Sequence, residues 1–317
     1  MTIRVLMLPR PKADEPSGIG RVVEAYYRHL LEFDVELVPE KATTYDLKAV
    51  HAGATAEDVD VCHAHGLYWT ADYDAPEWEY ASNAKVISAI RHAREVTVPS
   101  TWVAEAFQRD MHFSPRVVNH GIEWTEWQHK AECGGYVLWN KNRAGDVCDP
   151  TSVWELAKRR PNQKFVTTFL QGDLPNVLKT GTLPHGEMKR VVQSAAVYLA
   201  TTKETGGVGV LEAMASGIPV LGYAQGGVLD FVEHGVNGFL AEPGDVESLV
   251  EGLDYCFTNR AVLGANARES AKRFTWEAAC KQVADVYCLA LAKVVIKRPM
   301  WIDPAIYMQN SELDRGQ

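Results

Sequence analysis

Short apolar runs rich in β-branched residues alternate along this chain with amphipathic stretches of helical spacing, the pattern of a parallel sheet covered by helices on both faces. "IRVLML" predicts a buried first strand, followed by the loop "PRPKADEPSGIG" and a helix over "RVVEAYYRHLLE". "DVDVCHAHG" predicts a strand with a polar tip, "KVISAIRHAREVTVPS" a helix running into another strand, and "PRVVNHGIEW" closes the first half. The pattern restarts at "GGYVLWN" and continues through "KFVTTF", "AAVYLATT", "IPVLGY" and "NGFLAEP", with helices between them. That restart near Gly134 marks a domain boundary, and no solenoid-period repeat or low-complexity segment interrupts either half.

At 317 residues, 46% hydrophobic and 23% charged, the chain is long enough for two domains that each bury a core. No apolar run approaches the roughly 20 residues of a membrane span. The opening "MTIRVLMLPRPK" turns polar too early for a signal peptide, so the expected location is cytoplasmic, with no integral membrane segment. The six cysteines are scattered without a paired framework, which suits free thiols. A formal charge of −9 argues against nonspecific binding to nucleic acid or anionic membrane.

The densest candidate chemistry lies in "KETGGVGVLEAMASGIPVLG", residues 203–222. Its apolar spacing predicts a helix that starts just after Gly207 and ends before Gly217 and Pro219. Glu204 then lies in the loop before the helix and Glu212 on it, while Gly206, Gly207 and Gly209 leave the backbone unobstructed and Gly207, Val208 and Gly209 supply first-turn N–H donors for an anion such as a diphosphate. The carboxylates would accept hydrogen bonds from sugar and ribose hydroxyls; the plainer alternative makes Glu204 a helix-start residue and Glu212 a solvated one. One strand later, Gly226 and Gly227 in "AQGGVLD" open the backbone again at a strand's carboxyl end.

The first half offers weaker signals. In "PSGIGR", Gly18 and Gly20 precede a helix, but Val23 stands where a dinucleotide fingerprint needs its third glycine, so a ligand loop and a plain turn are both open. "HAHG" ends a strand on the side where open α/β sheets bind ligands, so His65 or His63 faces a cleft, unless the histidine is structural. Zinc held by Cys62, His63 and His65 would require residues that alternate across a strand to converge, and it is disfavoured. The aromatic-rich "GLYWTADYDAPEWEY" suits either a stacking platform or a packing loop.

"ETGGVGVLEAMASGIPVLGYAQGGVLDFVEHGVNGFLAEPGD" closely resembles the nucleotide-sugar site of the retaining glycosyltransferases of family 4, including their E-x7-E motif. "FTWEAACKQVADVY", "VVNHGIEWTEW", "DVDVCHAHG" and "PSGIGR" extend the likeness over most of the chain. The resemblance implies an α/β fold of GT-B architecture, with two facing Rossmann-like domains, parallel sheets and a cleft between them. It divides the chain into residues 1–128, which would bind the acceptor, residues 129–290, which would bind the nucleotide sugar, and a segment 291–317 returning to the first domain. It assigns the donor sugar to Glu204 and His65, the ribose to Glu212, and sugar and phosphate to the glycine-loop amides. It further implies a metal-independent reaction with no cofactor, in which a donor, UDP- or GDP-linked in the first instance, glycosylates a hydroxyl of a glycan, lipid, small molecule or modified nucleobase. An acidic first half disfavours the nucleobase. The chain departs from the family at "LWNKNRAGDVCDP", where Lys141 or Arg143 would have to supply the cations for the diphosphate, and at Gly206, which replaces an aromatic. A sugar-nucleotide 2-epimerase and a noncatalytic nucleotide-sugar-binding subunit share the same outline.

Overall fold

The computed structural model describes residues 2–10, 18–69, 71–73, 77–129, 131–141, 147–169 and 172–292. The chain forms two compact units, one reaching Asn119 and resuming at Trp276, the other spanning His120–Thr275. In the first unit the elements run β1 (Ile3–Leu8), α1 (Gly18–His29), a 3-10 turn (Leu30–Phe33), β2 (Val35–Leu37), β3 (Leu47–His51), β4 (Val61–His63), α2 (Glu77–His92), β5 (Glu95–Val98), α3 (Thr101–Met111) and β6 (Arg116–Val117). The second unit holds α4 (Trp124–Trp127), β7 (Val137–Trp139), α5 (Thr151–Arg159), β8 (Phe165–Thr167), β9 (Val177–Lys179), α6 (His185–Gln193), β10 (Val197–Ala200), α7 (Val208–Ala215), β11 (Val220–Tyr223), a 3-10 turn (Gly226–Asp230), β12 (Gly238–Ala241), α8 (Val246–Thr258) and α9 (Arg260–Ala271). Then α10 (Trp276–Ala292) returns to the first.

Each unit is built on a six-stranded sheet whose described pairings are all parallel, in the orders β2-β1-β3-β4-β5-β6 and β12-β11-β10-β7-β8-β9. Successive side chains of a strand face opposite sides, so both faces must be apolar. In the second unit Leu138, Tyr198, Ala200 and Val220 face the core under α7 and α9, while Val137, Trp139, Val197, Leu199 and Leu221 face the core under α5 and α8. This two-sided burial explains why these strands read as unbroken apolar runs.

The unit boundaries differ from the sequence expectation of 129 and 291. The reason is packing: Trp276, Cys280, Val283, Val286 and Tyr287 of α10 sit in the core formed with Val22 and Tyr26 of α1, so the return begins at Trp276. Residues 293–317 lie outside the described residues. Helix α1 also begins at Gly18, three residues earlier than expected, which makes Gly18 and Gly20 part of its first turn. Among the described residues, no helix is long and apolar enough to cross a membrane, and all six cysteines are free.

Candidate functional site

In the second unit β7, β10 and β11 are neighbours, so the loops after their carboxyl ends lie side by side, the place where open α/β sheets bind ligands. The loop after β7 contributes Lys141. Its backbone N–H donates to Thr168 Oγ1 at 2.8 Å, and the Thr168 hydroxyl donates to its carbonyl at 2.6 Å. The loop after β10 contributes Glu204, whose Oε1 accepts from Thr202 Oγ1 at 3.1 Å and from the Lys141 ammonium in a close ion pair. The lysine side chain is 8% exposed and the glutamate 26%. Burial alone would lower the Lys141 pKa, but the adjacent Glu204 carboxylate outweighs it and holds the pKa above the ordinary lysine value. Lys141 is therefore a cation stored beside a carboxylate. The two residues that sequence reading assigned to different parts of a ligand meet each other; Arg143 lies outside the described residues.

Gly226 and Gly227 pack against the Glu204 loop. Both are buried at the start of the 3-10 turn, and the Gly227 N–H donates to Glu204 O at 2.7 Å. A Cβ on Gly226 would lie 2.9 Å from Glu204 O and 3.1 Å from its N, and its φ of +72° also disfavours a side chain. A Cβ on Gly227 would lie 2.8 Å from Thr205 O. The glycine pair thus seats the Glu204 loop against the loop after β11.

Helix α7 starts at Val208, with Gly207 as its N-cap and Gly206 buried just before it. The amides of its first turn have no carbonyl one turn back within the helix and point out of its amino end. Gly209, in that turn, lies against Tyr198 of β10: a Cβ there would come within 2.5 Å of the phenol oxygen. Glu212, one turn on, is 3% exposed, which overturns the solvated alternative. A carboxylate is held inside the unit, on the same helix as the amides.

The first unit gathers histidines. Parallel register sets His51 beside His63 and His63 beside Thr97, on the sheet face shared with Ala49, Val61 and Tyr26. Cys62 belongs to the core on the other face, as strand alternation requires, so the disfavoured zinc set does not converge. Of the two histidines of "HAHG", His63 is the structural one: its Nδ1 is 2.7 Å from Thr97 Oγ1 and its Nε2 2.9 Å from the Tyr287 hydroxyl of α10. His65, half-buried, has Nε2 2.9 Å from Nδ1 of His51. Sequence reading missed His51, although "AVHAG" repeats the strand-end histidine of "VCHAHG". The aromatic stretch after His65 divides: Trp69 is buried edge-to-face on Phe107, while Trp78 is 54% exposed.

Burial lowers the His65 pKa to about 4; burial together with the neighbouring His65 lowers that of His63 to about 3. Both rings stay neutral in the fold but protonate when unfolded. Their contribution is therefore fully present above the ordinary histidine value of 6.5 and is lost as pH falls from there, through about 4 for His65 and about 3 for His63. We expect thermal stability to drop between pH 6.5 and 4.5, with a shallower slope in His65→Gln; equal slopes in melting curves would contradict it.

Residues 170–275 match the family Glycosyl transferases group 1. The sulfoquinovosyl transferase of Arabidopsis thaliana is 37% identical over 111 residues, 33% of this chain and 22% of that protein. The GDP-mannose-dependent alpha-mannosyltransferase of Corynebacterium glutamicum is 30% identical over 155 residues, 44% of this chain and 38% of that protein. The matched segments thus span well under half of either relative. Among solved structures, sucrose-phosphate synthase from Thermosynechococcus elongatus superposes with a TM-score of 0.73 at 16% identity, covering 92% of this chain and 100% of that one. Anabaena HepE in complex with UDP and glucose gives 0.70 at 18%, covering 90% and 99%. The fold is GT-B, two units each with a parallel sheet. Within it, Glu204, Glu212, Gly226 and Gly227 all lie in the segment that matches the family Glycosyl transferases group 1.

Proposed function

We propose that this chain moves a sugar from a nucleoside diphosphate sugar to an acceptor hydroxyl with retention of anomeric configuration. The observation that carries the reading is the part-buried Lys141–Glu204 pair at the carboxyl ends of β7 and β10, in the segment order that also supplies the α7 amides and Glu212. A diphosphate would take the Lys141 ammonium and the first-turn amides as donors. Glu204, relieved of its partner, would accept from the donor sugar's hydroxyls, and Glu212 from the ribose. The C1–O bond breaks with its electron pair going to the diphosphate, the acceptor oxygen bonds to C1 on the same face, and the acceptor proton passes to a leaving phosphate oxygen. Positive charge builds at C1 while negative charge builds on the diphosphate, so groups already aimed at these charges lower the barrier. Lys141 and the amides meet the phosphate charge in this reading, and no metal ion is required.

The test is a donor screen over UDP, GDP, ADP and TDP sugars with pooled hydroxyl acceptors, read by released nucleoside diphosphate. One donor is expected to turn over, and EDTA to leave its rate unchanged. Acceptor-independent rearrangement of the sugar would identify an epimerase instead, and tight donor binding with no release under any acceptor a binding subunit.

A further inference from the structure

His51 closes β3, and register places it directly across from His63 on β4. Since strand side chains alternate, His65, two residues past His63, returns to the same side. The His51 ring lies between the two others and nearly parallel to both: its centroid is 4.8 Å from that of His63 at 29°, and 5.2 Å from that of His65 at 21°, where the two rings meet edge to edge through their nitrogens. Tyr26 packs on it from α1 at 5.5 Å, and the residue is 1% exposed. Behind it, His63 is held by the hydroxyls of Thr97 and Tyr287, so His51 rests on a fixed backing.

Two imidazole nitrogens 2.9 Å apart hold one proton between them. If His51 Nδ1 carries it, His65 Nε2 accepts and the neutral His65 ring is protonated at Nδ1; if His65 Nε2 carries it, the reverse holds. Either way the two tautomers are tied together. We infer that His51 is the positioning residue that fixes the ring orientation and the tautomer of His65 through this Nδ1–Nε2 hydrogen bond. Where His65 contacts the donor sugar, the role that the family resemblance implies for it and one that rests on the transferase reading above, His51 then governs how well it is presented without touching substrate. Hydrogen-bond partners behind metal-ligating histidines are worth about 10- to 100-fold in activity, and a loss of the same order is expected for a partner that orients His65.

The test combines ring ¹⁵N NMR on protein labelled at histidine with transfer kinetics on the donor found in the screen. His51→Phe keeps a ring in the stack and removes Nδ1; His51→Asn puts an amide group near the Nδ1 position. The His65 signals, assigned by their loss in His65→Gln, are expected to report one tautomer in the wild type, to shift toward a mixture in His51→Phe, and to return in His51→Asn, with His63 unchanged throughout. The turnover number is expected to fall about 10- to 100-fold in His51→Phe at constant KM and to recover in His51→Asn. An unchanged His65 tautomer in His51→Phe overturns the inference, as does a loss of activity that His51→Asn leaves uncorrected. If His51→Phe does not fold, His51→Gln, whose amide falls nearer the Nε2 position, replaces it with the same expectations. A tautomer shift in a protein that turns over no donor upholds the positioning role and refutes the transferase reading alone.

Discussion

Glu204→Gln is expected to cut transfer about 100- to 1000-fold, the usual loss when a group aimed at developing charge is removed, while nucleoside diphosphate affinity stays equal or rises. The asymmetry comes from Lys141. In the free protein its buried ammonium is neutralised by Glu204, and glutamine leaves that charge without its counter-ion. Removing one partner of an enclosed pair is costly, and because Glu204 is 26% exposed, a loss on the order of 1–3 kcal/mol is expected rather than the full buried value. A diphosphate restores the counter-charge, so ligand should recover more melting temperature in the variant than in the wild type. Turnover, diphosphate titration and melting curves with and without ligand check it; diphosphate affinity falling in step with turnover would sink the assignment of Glu204 to the sugar.

The second large effect is expected at Gly226. Its φ of +72° disfavours any Cβ, and that atom would press on the backbone of Glu204 at 2.9 and 3.1 Å. Backbone cannot rotate away as a side chain can, so Gly226→Ala has to displace the Glu204 loop. A misplacement on the order of 1 Å costs about 100-fold in rate, and the left-handed conformation adds about 1–2 kcal/mol of strain. Transfer is expected to fall about 100-fold, with a lower melting temperature, although Gly226 need not touch substrate. Wild-type activity in the folded variant would show that the glycine pair does not seat the loop.

How much of this was legible in the sequence depended on how each residue announces itself. The strands of the second unit are buried on both faces, and apolar runs such as "AAVYLA" and "IPVLGY" gave them away; the start of α7 after Gly207 followed from helix spacing and the Gly217 stop. Three strands were not anticipated. Two of them, β2 and β9, are three-residue edge strands, and β3 carries Lys48 as the second of its five residues. The candidate residues on α7 and its preceding loop stood out because they are close in sequence. The Lys141–Glu204 pair was not, since it joins residues 63 apart through the adjacency of β7 and β10. His51 escaped for the same reason: only the β3–β4 register brings it beside "HAHG". Gly226 and Gly227 were noticed for their lack of side chains, but their close approach to the backbone of Glu204 and Thr205 joins loops more than 20 residues apart and follows only from packing.

The central claim, that the second unit binds a nucleoside diphosphate through Lys141, is tested most directly by calorimetric titration of UDP, GDP, ADP and TDP into the wild type and Lys141→Met. The account predicts one diphosphate bound at one-to-one stoichiometry by the wild type, and binding about 10- to 100-fold weaker in the variant, on the order of 1.5–3 kcal/mol for a lost charged hydrogen bond. Equal affinity in a folded Lys141→Met, or no binding of any of the four by the wild type, would contradict it.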